Sequence, residues 1–358
     1  MAVLKPFQLG IICDILKAYK YDQPFHHFFS ALAKQHKNWG SKDRKTYRNA
    51  CYAFFRTGFL SQGKDLPEMV LKAIELQEEN PSDADIQAIF PFKEFVSDHI
   101  NYSSWVSSHL KQKPVYLIFR KNYEADCIAY LQQNNIPFEV ENNYCLRLPP
   151  DSKCDALTEH GLAWIMDISS AQATDAINLN NHEMVWDACS GAGGKSIFLS
   201  QKYEDQISLT CSDKRLTILE NLKARFIKLG LDLPKVELID LTEPSHLSVK
   251  YDSIILDVPC SGSGTWGRTP EQIQSFDPEM PLRFAKIQRK IVSNALKNLK
   301  PGGKLFYLTC SVFSEENENT IKHIEVNHHF KCLKSKYFYG DHQLSDTLYF
   351  ACLQSKDI

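Results

Sequence analysis

From Trp164 onward the chain alternates short apolar segments with helical patterns, and four of these segments lead into an aspartate. The four acids are Asp187, Asp213, Asp240 and Asp257. Apolar strands that alternate with helices of about 10–15 residues predict a parallel α/β sheet. Such sheets bind ligands at the carboxyl ends of their strands, so the four acids together predict one pocket of the kind that binds adenosine. Any one of them alone would indicate only a cap or a turn.

A glycine-rich turn, DACSGAGGKS at residues 187–196, follows the first of these segments. Glycines let the backbone approach a ligand closely, and a helix that begins after them favours a negative group at its N-terminus. Neither G-x-x-x-x-G-K nor a full G-x-G-x-x-G is present, which disfavours a phosphate-binding NTPase. The alternative is a tight strand-to-helix connection. Asp213 favours a ligand site, because an acid at that place accepts hydrogen bonds from ribose hydroxyls in nucleotide-binding folds.

Two cysteines also stand at predicted strand ends. Cys260 lies in DVPCSGSGT at residues 257–265, and Cys310 follows the predicted strand at residues 304–308. A carboxylate and thiols at the ligand-binding edge of a sheet indicate chemistry. The chain has 11 cysteines but no C-x-x-C pair and no histidine pair at zinc-ligand spacing, so we expect no metal site. Reduced thiols of a cytoplasmic protein fit this composition, with Cys211 predicted to lie in the core.

The formal net charge is −2, so attraction to nucleic acid requires a local basic patch. One candidate interleaves Trp39 and Tyr47 with basic residues, and its second helix is predicted to begin at the N-cap Ser41. The basic residues are Lys34, Lys37, Lys42, Arg44, Lys45 and Arg48. This patch can follow phosphates, or it can be a solvated helix face. Asp14 and Lys17 interrupt the apolar run near the N-terminus, which predicts neither a signal peptide nor a membrane span. We expect a monomeric, cytoplasmic protein.

The patterns predict three domains. Residues 1–90 carry apolar residues at helical spacing and predict a helical bundle. Residues 91–163 predict a linker and a small α/β lobe. Residues 164–358 predict the sheet domain. Its final apolar strand, at residues 347–353, is consistent with a closing antiparallel hairpin, and an amphipathic helix at residues 281–299 is predicted to pack in the core. The apolar stripe of that helix consists of Leu282, Phe284, Ile287, Ile291, Ala295, Leu296 and Leu299.

The motifs of residues 164–358 resemble those of the RNA cytosine-C5 methyltransferases of the NOL1/NOP2/Sun (Fmu, RsmB-like) family. The matching motifs are the glycine loop at 187–196, the Pro-Cys motif at 257–265, and Thr309-Cys310-Ser311 with Glu316-Asn317-Glu318. Ser190-Gly191-Ala192 departs from the usual Ala-Ala-Pro, and Met166-Asp167 departs from Gln-Asp, which alters loop packing more than chemistry. Residues 42–58 resemble the NusB-like helical RNA-binding domain that precedes some of these enzymes.

The resemblance implies a Rossmann-like, class I S-adenosyl-L-methionine-dependent methyltransferase domain, preceded by a helical NusB-like domain and a small α/β lobe. Cytosine C5 is a weak nucleophile, so in this family a thiolate first adds to C6, and Cys310 matches that nucleophile. Cys260 matches the cysteine associated with product release, Asp257 matches the acid at the cytosine N3 edge, and Lys195 is implied to orient the target or Asp257. A helix opening near Ser314 is expected to favour the Cys310 thiolate. The implied cofactor-binding residues are Cys189, Ser190, Gly191, Ala192, Gly193, Gly194, Lys195, Asp213, Asp240 and Asp257.

The implied reaction is methylation of cytosine C5 in RNA, with the target base flipped out or in a loop. Ribosomal RNA is the favoured substrate, because the three domains together resemble bacterial small-subunit rRNA enzymes, and tRNA is the second candidate. A DNA cytosine-C5 methyltransferase uses its Pro-Cys cysteine as the nucleophile, and the presence of Cys310 argues against that class. A non-catalytic RNA-binding assembly factor is the remaining alternative, which the two thiols and four strand-end acids disfavour.

Overall fold

The computed structural model describes residues 4–79, 81–244, 248–340 and 344–356. Within these ranges the helices are α1 Pro6–Ala18, α2 Phe25–Gln35, α3 Ser41–Arg56, α4 Leu66–Glu78, α5 Asp83–Ile89, α6 Tyr102–His109, α7 Glu124–Gln133, α8 Asp155–Glu159, α9 Ile168–Asp175, α10 Gly194–Tyr203, α11 Leu216–Lys228, α12 Glu271–Gln274, α13 Met280–Ala295 and α14 Glu318–Asn327. The strands are β1 Val115–Phe119, β2 Glu139–Asn142, β3 Cys145–Leu148, β4 Ala163–Ile165, β5 Glu183–Asp187, β6 Ile207–Asp213, β7 Lys235–Leu238, β8 Tyr251–Asp257, β9 Leu299–Thr309, β10 Phe330–Phe338 and β11 Leu348–Ser355. None of the described helices is long and apolar enough to cross a membrane.

The chain divides into two compact units. The helical unit contains Met1–Gln112 and Thr265–Met280, and the sheet unit contains Lys113–Gly264 and Pro281–Ile358. This division differs from the predicted domains 1–90, 91–163 and 164–358 in two ways. The small lobe belongs to the same compact unit as the large sheet, and the segment 265–280 leaves the sheet domain and folds with the N-terminal helices.

Buried polar contacts hold the segment 265–280 within the helical unit. The Arg56 guanidinium donates to the backbone oxygens of His109 (2.7 Å) and Gly267 (2.8 Å), and the Glu271 carboxylate accepts from the backbone N–H of Phe25 (3.1 Å). Arg56 and Glu271 are both buried, so these bonds are made away from water, where an unpaired charge is costly. Arg56 and Gly267, and likewise Phe25 and Glu271, lie more than two hundred residues apart along the chain, which is why local sequence patterns did not predict that residues 265–280 fold with the N-terminal helices.

Aromatic packing forms the core of the helical unit. Trp39 and Tyr47 are buried, with ring centroids 5.1 Å apart in an edge-to-face arrangement. These two rings therefore stabilise the bundle and are not presented for stacking on bases, which corrects their place in the predicted RNA-contacting patch. The predicted N-cap is also wrong: Gly40 is the N-cap of α3, and its N–H donates to Asp43 at 3.3 Å.

The sheet unit contains a seven-stranded sheet in the order β10-β11-β9-β8-β5-β6-β7. Strands β5 to β9 pair in parallel, and β11 and β10 add an antiparallel hairpin at one side. This architecture confirms the predicted Rossmann-like sheet and the closing hairpin. Strand β10 was missed because its exposed lysines interrupt the apolar pattern that predicts a strand.

A four-stranded antiparallel sheet in the order β2-β3-β1-β4 forms the small lobe. The sequence predicted a small α/β lobe here, and the last strand of this lobe is β4, which contains Trp164. The chain therefore completes the small sheet before it enters the large one. The predicted boundary at residue 164 falls inside β4, because an apolar segment does not reveal which sheet it joins.

The amphipathic helix α13 turns a different face inward from the one predicted. Leu282 and Ile287 of the predicted stripe are 42% and 38% exposed, whereas Ala285 and Gln288 are buried. Ile291 and Ala295 are buried as predicted. The predicted apolar stripe did not include Gln288, because its side chain is polar, although its amide finds hydrogen-bond partners inside the protein.

Candidate active site

Four strand-end acids were predicted to share one edge of the sheet. Asp187, Asp213 and Asp257 are the last residues of the adjacent strands β5, β6 and β8. Asp240 lies two residues beyond the edge strand β7, and its carboxylate accepts from the N–H and the hydroxyl of Thr242 at 2.8 and 2.6 Å. The first three acids therefore meet at one edge as predicted. The contact seen for Asp240 is a turn, and its role toward an adenine ring stays a prediction.

The glycine loop joins β5 to α10 in a conformation that needs glycine. Gly191 and Gly193 have φ values of 53° and 80°, in the left-handed region that other residues rarely adopt. A Cβ atom on Gly193 would lie only 2.7 Å from Cγ of Leu222. The Ser190 N–H donates to the Ser212 carbonyl at 2.9 Å, which fixes the loop against the neighbouring strand.

Asp187 is one of the four strand-end acids of the predicted pocket, although the sequence assigned it no individual role. It is 1% exposed, and Ser196 donates to its Oδ2 atom, while its Oδ1 atom has no hydrogen-bond partner among the described residues. Burial raises the pKa of Asp187 to about 7, and the charge of Asp257 adds to the rise, although the Ser196 hydroxyl opposes it. A buried carboxylate oxygen without a donor indicates that a cationic or N–H group of a ligand completes it.

Space for a ligand lies directly over the glycine loop. A Cβ atom added to Gly191 or Gly194 would have no described heavy atom within 4 Å outside its immediate neighbours. Asp213 stands beside this space with both oxygens accepting from Arg215, at 3.0 Å from Nε and 3.1 Å from Nη2. Burial raises the pKa of Asp213, but the hydrogen bonds from Arg215 outweigh burial and lower it. Asp213 therefore stays ionised, and its oxygens can accept further hydrogen bonds.

These residues fit S-adenosyl-L-methionine. Its amino-acid end carries an ammonium group that can donate to the unpartnered Oδ1 of Asp187, and its ribose hydroxyls can donate to Asp213. The predicted loop residues lie where they can line this pocket, but they contribute mainly backbone. Cys189 is half-buried, and burial raises the pKa of its thiol, so it remains a thiol rather than a reactive anion. The Ala192 carbonyl accepts from Arg225 at 2.7 Å.

Lys195 and Asp257 form an ion pair next to the cysteines. Lys195 Nζ lies 2.6 Å from Asp257 Oδ2, with side chains 13% and 34% exposed. Burial alone lowers the pKa of Lys195, but the Asp257 carboxylate and its hydrogen bond raise it above the ordinary value, and the charge of Cys310 contributes in the same direction. Lys195 is therefore a cation that faces both the acid and one of the thiols.

Adjacent strands bring the two predicted cysteines together. Cys260 follows β8 and Cys310 follows β9, and their Sγ atoms lie 3.1 Å apart. A hydrogen bond with Cys310, burial and the nearby Glu316 carboxyl all raise the pKa of Cys260 well above its usual range. Gly264 packs closely against this site. Its N–H donates to the Cys310 carbonyl at 2.9 Å, and there is no room for a side chain, because a Cβ atom would lie 1.9 Å from the Thr347 oxygen.

A buried carboxyl group lies behind the cysteines. Glu316 is fully buried and accepts from the Ser261 N–H (2.8 Å), the Ser311 hydroxyl (2.7 Å) and the Gln288 amide (3.0 Å). Burial raises the pKa of Glu316 even though these donors oppose it. The sequence showed Glu316 within a motif but gave it no role, because its partners come from three separate elements.

The expected helix at Ser314 is not present there. Helix α14 begins at Glu318, after turns in which the Asn317 amide donates to the Ser311 carbonyl at 2.8 Å. The positive partner that the structure places near Cys310 is therefore Lys195, which corrects the prediction. Among the described residues, no group of three or more His, Cys, Asp or Glu side chains is arranged to hold a metal ion.

Known proteins share both the sequence and the fold of this region. Residues 174–346 match the family model for 16S rRNA methyltransferase RsmB/F. Ribosomal RNA small subunit methyltransferase F of Aliivibrio fischeri is 30% identical over 177 residues, which are 48% of this chain and 37% of the relative. The human tRNA (cytosine(72)-C(5))-methyltransferase NSUN6 is 28% identical over 171 residues, which are 44% of this chain and 36% of the relative. This chain thus spans less than half the length of these relatives.

The similarity in fold to a known structure extends beyond residues 174–346. The crystal structure of PH0851 superposes with a TM-score of 0.75 over 99% of both chains, at 17% sequence identity. At that identity the likeness concerns the fold alone, and it covers the N-terminal helices as well as the sheets. The residues that match the family model include the glycine loop from Cys189 to Lys195 and both Cys260 and Cys310. Residues 174–346 are therefore similar to the RsmB/F methyltransferases, the group of enzymes that the sequence motifs resemble.

Proposed function

We propose that this protein methylates C5 of cytosine in RNA with S-adenosyl-L-methionine as the methyl donor. The observation that carries the proposal is the 3.1 Å separation of the Cys260 and Cys310 sulfurs beside the Lys195–Asp257 ion pair. Two thiols at adjacent strand ends match a reaction that forms a covalent bond to the base and then breaks it. The matched relatives, which are named as rRNA and tRNA methyltransferases, support the same reaction class.

Cys310 starts the reaction. Its thiolate forms a bond to C6 of the cytosine, which moves electron density toward C5 and makes that carbon a nucleophile. When bound, the cofactor supplies an electrophilic methyl group to C5. The C5 proton then leaves to a base, and its electron pair re-forms the C5–C6 double bond as the Cys310–C6 bond breaks. The thiolate is thereby restored.

The charges around the two sulfurs support this division of roles. Lys195 is close enough to Cys310 for their charges to attract, and a cation favours the thiolate that attacks C6. A hydrogen bond with Cys310, burial and the nearby Glu316 carboxyl together raise the pKa of Cys260, which keeps Cys260 a thiol at the moment of attack. A neutral thiol 3.1 Å from Cys310 is placed to assist when the adduct is resolved.

Asp257 and Lys195 act on the base. The Asp257 carboxyl is partly exposed at the end of β8 and is placed to hydrogen-bond the N3 edge of a flipped cytosine. Lys195 holds that carboxyl in place through its 2.6 Å contact. Asp187, Asp213 and the glycine loop bind the cofactor in this proposal, and Asp240 contacts its adenine side.

We infer that the substrate is ribosomal RNA, with tRNA as the second candidate. The matched family model is described as a 16S rRNA methyltransferase, and the human relative is named for a tRNA position. The exposed Lys42 and Arg44 of the helical unit support a phosphate-contacting surface. The 11 free cysteines support a cytoplasmic location, where thiols stay reduced, and we infer that the protein acts as a monomer.

Transfer of a labelled methyl group tests the proposed reaction. The full chain is incubated with S-adenosyl-L-methionine labelled in its methyl group and, separately, with unmethylated small-subunit rRNA, total tRNA and duplex DNA. We expect labelled 5-methylcytidine after digestion of the rRNA. Label in tRNA alone would show that tRNA, and not rRNA, is the substrate. Label in DNA alone, or none in any nucleic acid, would refute the proposed function.

Cofactor affinity should depend on the ionisation of Asp187. Its pKa of about 7 means that acidification protonates the carboxylate that the cofactor ammonium needs. Binding should therefore be fully developed above that pKa and weaken as the pH falls through it, by about eightfold between about pH 7.5 and about pH 6. Calorimetric titration with S-adenosyl-L-homocysteine, which keeps the same ammonium group, measures the affinity at each pH.

The matched variants are Asp187→Asn and Asp252→Asn. The Asp187→Asn variant should bind the ligand more weakly, with a flat pH profile, because an amide side chain does not titrate in this range. Asp252 lies at the other end of β8, where it pairs with Lys300 at 2.8 Å, so its variant should keep the slope. If the affinity of the Asp187→Asn variant still falls with pH as in the wild type, Asp187 does not bind the ammonium group of the cofactor.

A further inference from the structure

We propose that Glu316 is a positioning residue that holds the two cysteine loops at reacting distance. The inference rests on the proposed function, since it assigns a role within the same site. Glu316 touches neither sulfur directly, and no ligand-binding role is assigned to it. Its carboxyl group connects the residue that follows Cys260 to the residue that follows Cys310.

One carboxyl oxygen binds each loop. Oε2 accepts from the backbone N–H of Ser261 at 2.8 Å, and Oε1 accepts from the hydroxyl of Ser311 at 2.7 Å. Ser261 and Ser311 are the next residues after the two cysteines. Because a carboxylate is rigid and planar, two bonds to its two oxygens fix the separation of the loops, and therefore that of the two sulfurs.

The rest of the network keeps the Glu316 carboxyl group in one orientation. Gln288 of α13 donates to Oε2 at 3.0 Å and also to the Pro259 carbonyl at 3.1 Å, so it binds the Cys260 loop a second time. The Tyr307 hydroxyl lies 2.9 Å from the Gln288 amide oxygen and 2.8 Å from the backbone oxygen of Glu316, and its single hydrogen is shared between these two acceptors. Glu316, Gln288 and Tyr307 are all buried, so water does not compete for the bonds.

The charge of Glu316 acts on one cysteine more than on the other. The titratable groups that influence Cys260 are Cys310 and Glu316, and both raise its pKa together with burial. Cys310 has Lys195 as its cationic neighbour. Glu316 thus adds to the rise in the pKa of Cys260 that the Cys310 hydrogen bond and burial cause, whereas the Lys195 cation lies beside Cys310.

Two substitutions separate spacing from charge. In Glu316→Gln the amide oxygen can still accept from Ser261 and Gln288, and the amide N–H can donate to the Ser311 hydroxyl, so the loops keep their distance without the charge. Glu316→Ala removes both. Glu315→Gln is the matched control, because it removes the same charge one residue away, where Glu315 pairs with Arg289 at 2.7 Å.

Two thiol measurements on the full-length protein test the proposal without RNA. Diamide, an oxidant that takes up two thiol hydrogens as a disulfide forms, reports the separation of Cys260 and Cys310 through the rate of cross-linking, mapped by mass spectrometry. Glu316→Gln should cross-link at close to the wild-type rate, and folded Glu316→Ala about tenfold more slowly or worse. Iodoacetamide labelling across a pH series reports the charge: labelling of Cys260 should shift to lower pH in Glu316→Gln and stay unchanged in Glu315→Gln.

The outcomes distinguish this inference from the proposed reaction. Wild-type cross-linking by a folded Glu316→Ala variant would overturn the positioning role, and an unchanged Cys260 labelling profile in Glu316→Gln would overturn the charge effect. If Glu316→Ala does not fold, as judged by its thermal unfolding, the Glu316→Gln cross-linking rate decides: a rate about tenfold below that of the wild type would overturn the claim that the two hydrogen bonds set the spacing. If the thiol results are as expected but no nucleic acid accepts label, the proposed function fails while the structural role of Glu316 stands.

Discussion

Cys310→Ala should abolish RNA methylation, whereas Cys260→Ala should accumulate a covalent protein–RNA adduct. Without the Cys310 thiolate no bond to C6 forms, and cytosine C5 stays too weak a nucleophile, so the rate should fall by on the order of 10⁴-fold or more. Without Cys260 the attack still occurs, but the thiol 3.1 Å from the adduct sulfur is missing when the adduct should resolve. Denaturing gels of protein incubated with labelled RNA and cofactor measure both effects.

Cys352→Ala is the matched control for these two variants. Cys352 is a half-buried free cysteine in β11 of the same sheet, and it is not one of the predicted site residues. This variant should methylate RNA at the wild-type rate and leave no adduct. The reverse pattern, with an adduct in Cys310→Ala and no turnover from a Cys260 variant that forms none, would exchange the roles of the two cysteines.

Lys195→Met should lower the rate of adduct formation by about 10²–10³-fold. Methionine keeps the length and the apolar stem of the side chain but removes the cation that pairs with Asp257 at 2.6 Å and faces Cys310. Asp257 then loses the contact that orients it toward the base, and the attacking thiolate loses its nearby positive charge. Single-turnover measurements at saturating RNA, run in the Cys260→Ala background so that the adduct accumulates, isolate this step.

Lys202→Met provides the comparison on the same helix. Lys202 lies at the far end of α10 and pairs with Asp175 at 3.0 Å, so its loss removes a lysine without changing the site. It should leave adduct formation unchanged. A Lys195→Met protein that forms adduct at the rate of the Lys202→Met protein would show that the ion pair has no part in the chemistry.

The sequence by itself determined the parallel sheet and the residue types that stand at its ligand-binding edge. Apolar strands with acids at their ends predicted the parallel arrangement of β5 to β9, because side-chain hydrophobicity and turn residues are local signals. The motifs around Cys260 and Cys310 predicted two thiols at one sheet edge, since the carboxyl ends of parallel strands meet there. The structure places their sulfurs 3.1 Å apart.

Only the tertiary structure decided the features that depend on distant contacts. Residues 265–280 fold with the helical unit, where hydrogen bonds such as that from Arg56 to Gly267 hold them. No local sequence pattern predicts such a bond between distant residues. The unpartnered oxygen of Asp187 and the bridge made by Glu316 likewise emerge from burial and from partners on separate elements. Sequence patterns report what a residue prefers, whereas the charge state and role of a buried group depend on which neighbours the fold brings to it.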